Sequence, residues 1–168
     1  MSAFTPELLA LAESVLERCR GAGLMVATAE SCTGGLVAAC LTEIAGSSAV
    51  VERGFVVYAN TAKIDLLGVA PATLERHGAV SEQTAAEMLA GALARSPADL
   101  VVAITGIAGP GGGTADKPVG LVFIGVQRAG AAPDIERHVF AGDRNAVRDA
   151  SLLRALELLH AAATLVEA

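Results

Sequence analysis

The sequence predicts an α/β fold, a single domain over residues 1–168 built as a three-layer α/β/α sandwich with a mixed sheet. Three observations predict it. Short aliphatic runs of strand character alternate with segments whose apolar residues recur at helical spacing. Hydrophobic residues make up 53% of the chain but aromatics only 3%. The core is therefore Ala, Val, Leu and Ile, which suits helices layered on a sheet better than an all-β fold. Finally, the last two strand-like runs are separated by a turn alone, which puts a hairpin into the sheet.

Each element follows from local signals. Thr5-Pro6-Glu7 opens a helix, with Thr5 as N-cap and Pro6 in the first helical position, and Leu8, Leu11, Val15 and Cys19 repeat at helical spacing until Gly21 and Gly23. Residues 24–29 (LMVATA) read as a buried strand, and 36–44 as a helix after the turn Glu30-Ser31-Cys32-Thr33-Gly34-Gly35. Residues 49–59 form a second strand, with Gly54 as the place for a bulge. Asn60 caps a short helix through Leu67, and a second short helix covers 71–77. Ser81 caps a longer helix with Ala85, Met88, Leu89 and Ala92 inward. Residues 99–105 are a third strand, followed by a glycine-rich loop over 106–114. Residues 119–128 and 135–140 make the hairpin, and Asp143 caps the last helix, with Val147, Leu152, Leu156, Leu159 and Val166 inward.

Composition removes several function classes. A membrane span needs about 20 apolar residues without breakers. The longest uncharged run, 100–115, holds Pro110 and five glycines. Glu7, Glu13 and Glu17 exclude a signal peptide at the N-terminus. The net charge of −6 argues against nonspecific nucleic-acid binding, which rests on Lys and Arg at phosphates. Three cysteines without CxxC spacing indicate neither a disulfide framework nor a zinc site, and reduced thiols point to the cytoplasm.

Two constellations carry chemistry. Ser31 lies where a strand ends and a helix begins, so free N–H groups and the positive end of a helix dipole gather beside it and can receive an oxyanion. By spacing alone, Ser31 or Thr33 is also accounted for as a plain helix cap. The segment is not G-x-S-x-G, so this is not the nucleophile elbow of an α/β-hydrolase. Cys32 is either a thiol activated at a helix N-terminus, and then a nucleophile itself, or a small buried hydrophobe; with no histidine nearby in sequence the second is preferred. None of His77, His138 and His160 has a triad context: His77 ends a helix, His138 alternates outward in a strand, and His160 sits near a helix end. Lys63 is placed in the first turn of a helix, where the dipole disfavours its charge, and with burial its pKa falls. A neutral lysine can take a serine proton. The alternative is a surface lysine paired with Asp65 or Glu43. Tyr58, the one tyrosine, can bond the reacting group or stack on a cationic ring, or serve as a strand-end core aromatic.

The second constellation is the loop after Thr105, with Gly106, Gly109, Gly111, Gly112 and Gly113. It lacks the G-K-[ST] of a phosphate-binding Walker loop and the helix of a dinucleotide fingerprint, yet its backbone can wrap a ligand. Arg144, at the start of the last helix, is a candidate phosphate contact. Arg148, one turn on, reads as part of a solvated face.

Together the segments TAESCTGG (28–35), GFVVYANTAKIDLLGV (54–69), HGAVSEQTAAEM (77–88), ITGIAGPGGGTADKPVGLVFIG (104–125) and FAGDRNAVR (140–148) resemble the CinA C-terminal domain family, which includes stand-alone nicotinamide-nucleotide amidases. The resemblance implies an α/β/α sandwich that hydrolyses nicotinamide mononucleotide to nicotinic acid mononucleotide and ammonia, with no metal or cofactor. It implies a small-molecule nucleotide as partner and a homo-oligomer, and the longer members' additional N-terminal domain is absent here. Ser31 would be the nucleophile, Lys63 its base, and Tyr58 and Thr105 would position or polarise the amide. Glu30, Thr33, Gly34, Gly35, Asn60, Gly106, Gly109, Gly111 and Gly112 would shape the nucleotide pocket, and Arg144 would meet the phosphate. Two other readings stay open: a non-catalytic nucleotide- or partner-binding module linked to competence or DNA damage, and an amidase for a different amide.

Overall fold

The computed structural model describes residues 2–164, so Val166 lies outside the described residues. Helix α1 spans Pro6–Ala22, strand β1 Val26–Glu30 and helix α2 Leu36–Thr42. A single 3-10 turn at Ser47–Ala49 leads into β2, Val51–Val56. Helices α3 (Asn60–Leu67), α4 (Pro71–His77) and α5 (Glu82–Ala94) follow, then β3 (Leu100–Gly106), β4 (Leu121–Arg128), β5 (Asp134–Val139) and α6 (Arg144–Ala162).

The five strands form one mixed sheet in the order β2-β1-β3-β4-β5. β1 runs parallel to β2 and β3, while β4 and β5 are antiparallel additions, the expected hairpin. Alternation along the strands sorts the core into two faces. Val26, Leu100, Val102 and Ile104 pack with α1, α2 and α6 through Val15, Leu16, Val37, Leu41, Leu152 and Leu156. Ala27, Ala29, Val101 and Ala103 pack with α3 and α5 through Leu67, Met88, Leu89 and Ala92.

The caps behave as their residue types dictate. Thr5, Ser81 and Asp143 each accept a backbone N–H three residues on, from Leu8, Thr84 and Ala146. Gly23 ends α1 in the left-handed conformation. Two local expectations shift. Asn60 is the first residue inside α3, the cap is Ala59, and no side chain caps that end. The register irregularity in β2 falls between the pairings Val26–Val51 and Ala27–Arg53, at Glu52, not at Gly54. Gly54 is small for a different reason: a Cβ there would stand 3.0 Å from Thr28 Oγ1 and 3.2 Å from Ala38 Cβ, where α2 lies close on the sheet.

From β1 the chain crosses over through α2, on one face, to β2 on one side. From β2 it returns through α3, α4 and α5, on the other face, to β3 on the opposite side of β1. The winding thus reverses at β1, and the carboxyl ends of β1 and β3 flank the crevice where open α/β sheets bind ligands. Ser31 follows β1 directly, and Thr105 and Gly106 close β3.

Candidate active site

The first contact at the crevice is between the two groups expected to react. Lys63 Nζ lies 3.0 Å from Ser31 Oγ. The same nitrogen donates to the carbonyls of Val57 at 2.9 Å and Tyr58 at 3.2 Å. Lys63 is 1% exposed and Ser31 8%, and no carboxylate pairs with the lysine among the described residues, so neither Asp65 nor Glu43 is its partner. Burial pushes the Lys63 pKa below its usual value, against a small opposing influence from Cys32. The geometry suits an uncharged amine. An uncharged amine would give its two protons to the two carbonyls and keep its lone pair for the Ser31 hydroxyl proton, whereas an ammonium would donate to all three oxygens.

The turn after β1 is held from several directions. The Ser31 amide donates to the Ile104 carbonyl at 2.9 Å, stitching the nucleophile position to β3. Gly34 N–H donates to the Ser31 carbonyl at 3.0 Å. Gly34 and Gly35 both have positive φ, +63° and +97°, which side-chain-bearing residues rarely adopt. Glu30 is fully buried, and its carboxylate accepts from the amides of Gly35 (3.0 Å), Val37 (3.1 Å) and Ala38 (2.9 Å). This corrects the expectation that Glu30 faces substrate: it caps α2 from the preceding strand. It also takes up the helix N–H groups expected to receive an oxyanion. The amides of Cys32 and Thr33, next to Ser31, donate to no backbone carbonyl among the described residues.

Cys32 is 6% exposed, and burial raises its thiol to about 11, with Glu30 pushing the same way and Arg148 and Lys63 against it. A thiol in that state is no nucleophile at neutral pH, as its reading as a small buried hydrophobe requires.

The other expected residues divide. Thr105 is 1% exposed and gives its proton to the Ala79 carbonyl at 2.7 Å, so it fastens the segment before α5 to the end of β3 and has no proton left for an amide. Tyr58 is 60% exposed, not a core aromatic, and its hydroxyl accepts from Arg144 at 3.1 Å. A second Arg144 nitrogen donates to the Gly109 carbonyl at 2.8 Å. Arg144 thereby joins the tyrosine to the glycine-rich loop, beside a cavity of about 510 Å³ lined by Ala108, Pro110, Val119, Asp143, Arg144 and Asn145 among others, with the Asp143 carboxylate taken up by the Ala146 amide. That volume is in the range of small-molecule sites. At Gly106 a Cβ would crowd Leu121 O at 2.9 Å, so that glycine serves packing between β3 and β4. Gly111, Gly112 and Asn60 are exposed and make no side-chain contact that assigns them a role. Thr33 is fully buried.

Two further expectations change. His138 is half-buried and pairs with Glu136 at 2.7 Å while stacking on Phe140. Arg148 is not a solvated residue: it reaches the Ser31 turn and donates to the Thr33 carbonyl at 3.0 Å.

A buried lysine within hydrogen-bond reach of a serine at the switch point of an open α/β sheet marks this crevice as the candidate site. The comparisons give the family. The sequence model described as the CinA C-terminal domain matches residues 8–163, and the chain belongs to that family. It is 50% identical over 153 residues to the nicotinamide-nucleotide amidohydrolase PncC of Escherichia coli strain K12, covering 91% of this chain and 93% of that one. It is 55% identical over 143 residues to a CinA-like protein of Mycolicibacterium vanbaalenii, of which the match covers 34%. Among solved structures, the competence/damage inducible protein CihA from Agrobacterium tumefaciens superposes with a TM-score of 0.93 at 52% identity, over 96% of this chain and 98% of that one. A competence or damage-inducible protein from Enterobacter asburiae gives 0.89 at 35%, over 94% and 98%.

Proposed function

We propose that this chain is a nicotinamide-nucleotide amidase acting through a Ser31 acyl-enzyme. The observation that carries the reading is the buried Lys63 amine 3.0 Å from the Ser31 hydroxyl, with no carboxylate partner among the described residues. The relatives called nicotinamide-nucleotide amidohydrolase, which match over most of both lengths, supply the substrate.

In the proposed cycle Ser31 Oγ attacks the carboxamide carbon while its proton passes to the Lys63 lone pair. The C–O bond forms, the carbonyl becomes an oxyanion, and the amides of Cys32 and Thr33 receive it. Each such donor contributes about 100–1000-fold in rate. Lys63 then returns the proton to the amide nitrogen, the C–N bond breaks and ammonia leaves. Water, deprotonated by the same amine, attacks the ester carbon, and Ser31 departs with its proton restored. Arg144 binds the 5′-phosphate at the 510 Å³ cavity, with Tyr58 held alongside it.

A non-catalytic module would gain nothing from burying a lysine against a serine, since burial costs the charged form dearly. The reading also places the protein in the cytoplasm, where Cys19, Cys32 and Cys40 remain free thiols. No helix among the described residues is long and apolar enough to cross a membrane. It further takes the protein as a homo-oligomer, with the exposed apolar side chains Val56, on the edge strand β2, and Leu66, on α3, as surface a second copy would cover.

The test is ammonia release from nicotinamide mononucleotide by the purified protein. Wild type and Cys32→Ala are expected to release it and Ser31→Ala to lose at least about 1000-fold while keeping its circular dichroism. An active Ser31→Ala, or a dead Cys32→Ala, would overturn the nucleophile assignment.

A further inference from the structure

We infer that Arg148 is a positioning residue for the amidase reaction, fixing the turn that carries Ser31 so that the Cys32 and Thr33 amides meet the oxyanion. This rests on the reading of Ser31 as nucleophile.

The turn from Ser31 to Gly34 is anchored at its two ends. One end is tied to β3 through the Ser31 amide, and Glu30 holds the amides beyond it, from Gly35 onward. Between these anchors lies the peptide unit joining Thr33 to Gly34. Its N–H donates to the Ser31 carbonyl, and its carbonyl accepts from Arg148 at 3.0 Å. The other donor to that carbonyl is the Leu36 amide, at a long 3.3 Å. Arg148 is thus the strong hold on one end of the plane, and a peptide plane fixed at both ends fixes the dihedrals on either side of it. The neighbouring N–H groups of Thr33 and Cys32 are aimed accordingly.

Three further features suit this role. The guanidinium lies against the turn, 3.9 Å from where a Gly34 Cβ would stand. Arg148 is half-buried, and its Nε is shielded from solvent without a partner among the described residues, a cost met for one backbone contact. Arg148 sits one turn after Arg144 on α6, so a single helix grips the Ser31 turn with one arginine and the glycine-rich loop and Tyr58 with the other. A guanidinium under the turn also adds positive charge where the transition state becomes negative.

The experiment compares Arg148→Lys and Arg148→Met with wild type on nicotinamide mononucleotide, following kcat, KM, the pH–rate profile and thermal unfolding. Loss of aim costs rate, not binding. The expected result is a kcat lowered about 10–100-fold in Arg148→Met with KM within about threefold, the midpoint of the pH profile unmoved, and partial recovery in Arg148→Lys. Unchanged kcat in Arg148→Met overturns the inference. So does a raised KM at constant kcat, which would make Arg148 a substrate contact, or a loss in both variants that merely follows unfolding at the assay temperature. Absence of ammonia from wild type would sink the amidase reading instead. The arginine's hold is then read in amide nuclear magnetic resonance signals: those of Cys32, Thr33 and Gly34 shift in Arg148→Lys if it positions the turn, and stay if it does not.

Discussion

Lys63 is the largest side chain in the fully buried set, whose other large members are leucine, isoleucine and methionine. An ammonium in that place would have to shed its water and find only two carbonyls and a hydroxyl in exchange. The lowered pKa follows from that exchange. Its consequence for stability has a definite sign. Between the depressed folded value and the usual 10.5 the unfolded chain binds the extra proton, so stability rises with pH across that window and is lowest below it. Activity has the same direction if, as proposed, the neutral amine is the base. We expect kcat/KM for nicotinamide mononucleotide to climb with pH along a limb whose midpoint lies below 10.5. A flat profile, or a midpoint at 10.5 or above, would mean that this amine takes no proton in the rate-limiting step. The lysine was legible in the sequence because its position in the first helical turn conflicts with the dipole. Its two carbonyl partners were not, because they depend on how the chain bends between β2 and α3.

At the scale of elements, caps and periodicity carried most of the information. Thr5, Ser81 and Asp143 opened their helices at the expected residues, and Ala85, Met88, Leu89 and Ala92 faced inward as their spacing required. Strand ends moved by one to three residues, since an apolar run does not say where pairing stops. Glu30 and Arg148 were misread for one physical reason. A charged residue in a cleft motif looks the same in sequence whether it faces a ligand or satisfies backbone, and their partners are set by tertiary approach, 115 residues apart for Arg148 and Thr33. Glu30 now carries a prediction about α2. Glu30→Ala leaves three amides of a buried helix start without an acceptor and is expected to cost about 3 kcal/mol or more, lowering the melting temperature by roughly 10 °C. Calorimetry measures it, and a variant melting within about 2 °C of wild type would show that water replaces the carboxylate.

Across the whole molecule, the reversal of winding at β1 brings together residues that no local pattern connects. Ser31 comes from the end of β1, Lys63 from α3, the glycine-rich loop from the end of β3 and Arg144 from α6. The fold class and the hairpin were readable because strands alternate with helices until the last pair. The cavity beside Arg144 was not, because it forms between segments more than 20 residues apart, Pro110 with Asn145. If that cavity holds the phosphate, Arg144→Ala should raise KM for nicotinamide mononucleotide roughly 10–100-fold, the loss of a charged hydrogen-bond donor. The same change should leave nicotinamide riboside, which has no phosphate, nearly unaffected. Equal losses on both substrates would assign Arg144 to holding Tyr58 and Gly109 alone.

The chain contains two lysines, Lys63 and Lys117, so protein labelled with carbon-13 at the lysine ε-carbon gives two signals, and Lys63→Arg identifies which belongs to position 63. Titrating that signal by nuclear magnetic resonance measures the charge of the amine beside Ser31 directly. The serine–lysine mechanism predicts a midpoint clearly below 10.5. A midpoint at or above that value would leave a permanent cation next to the hydroxyl and contradict it.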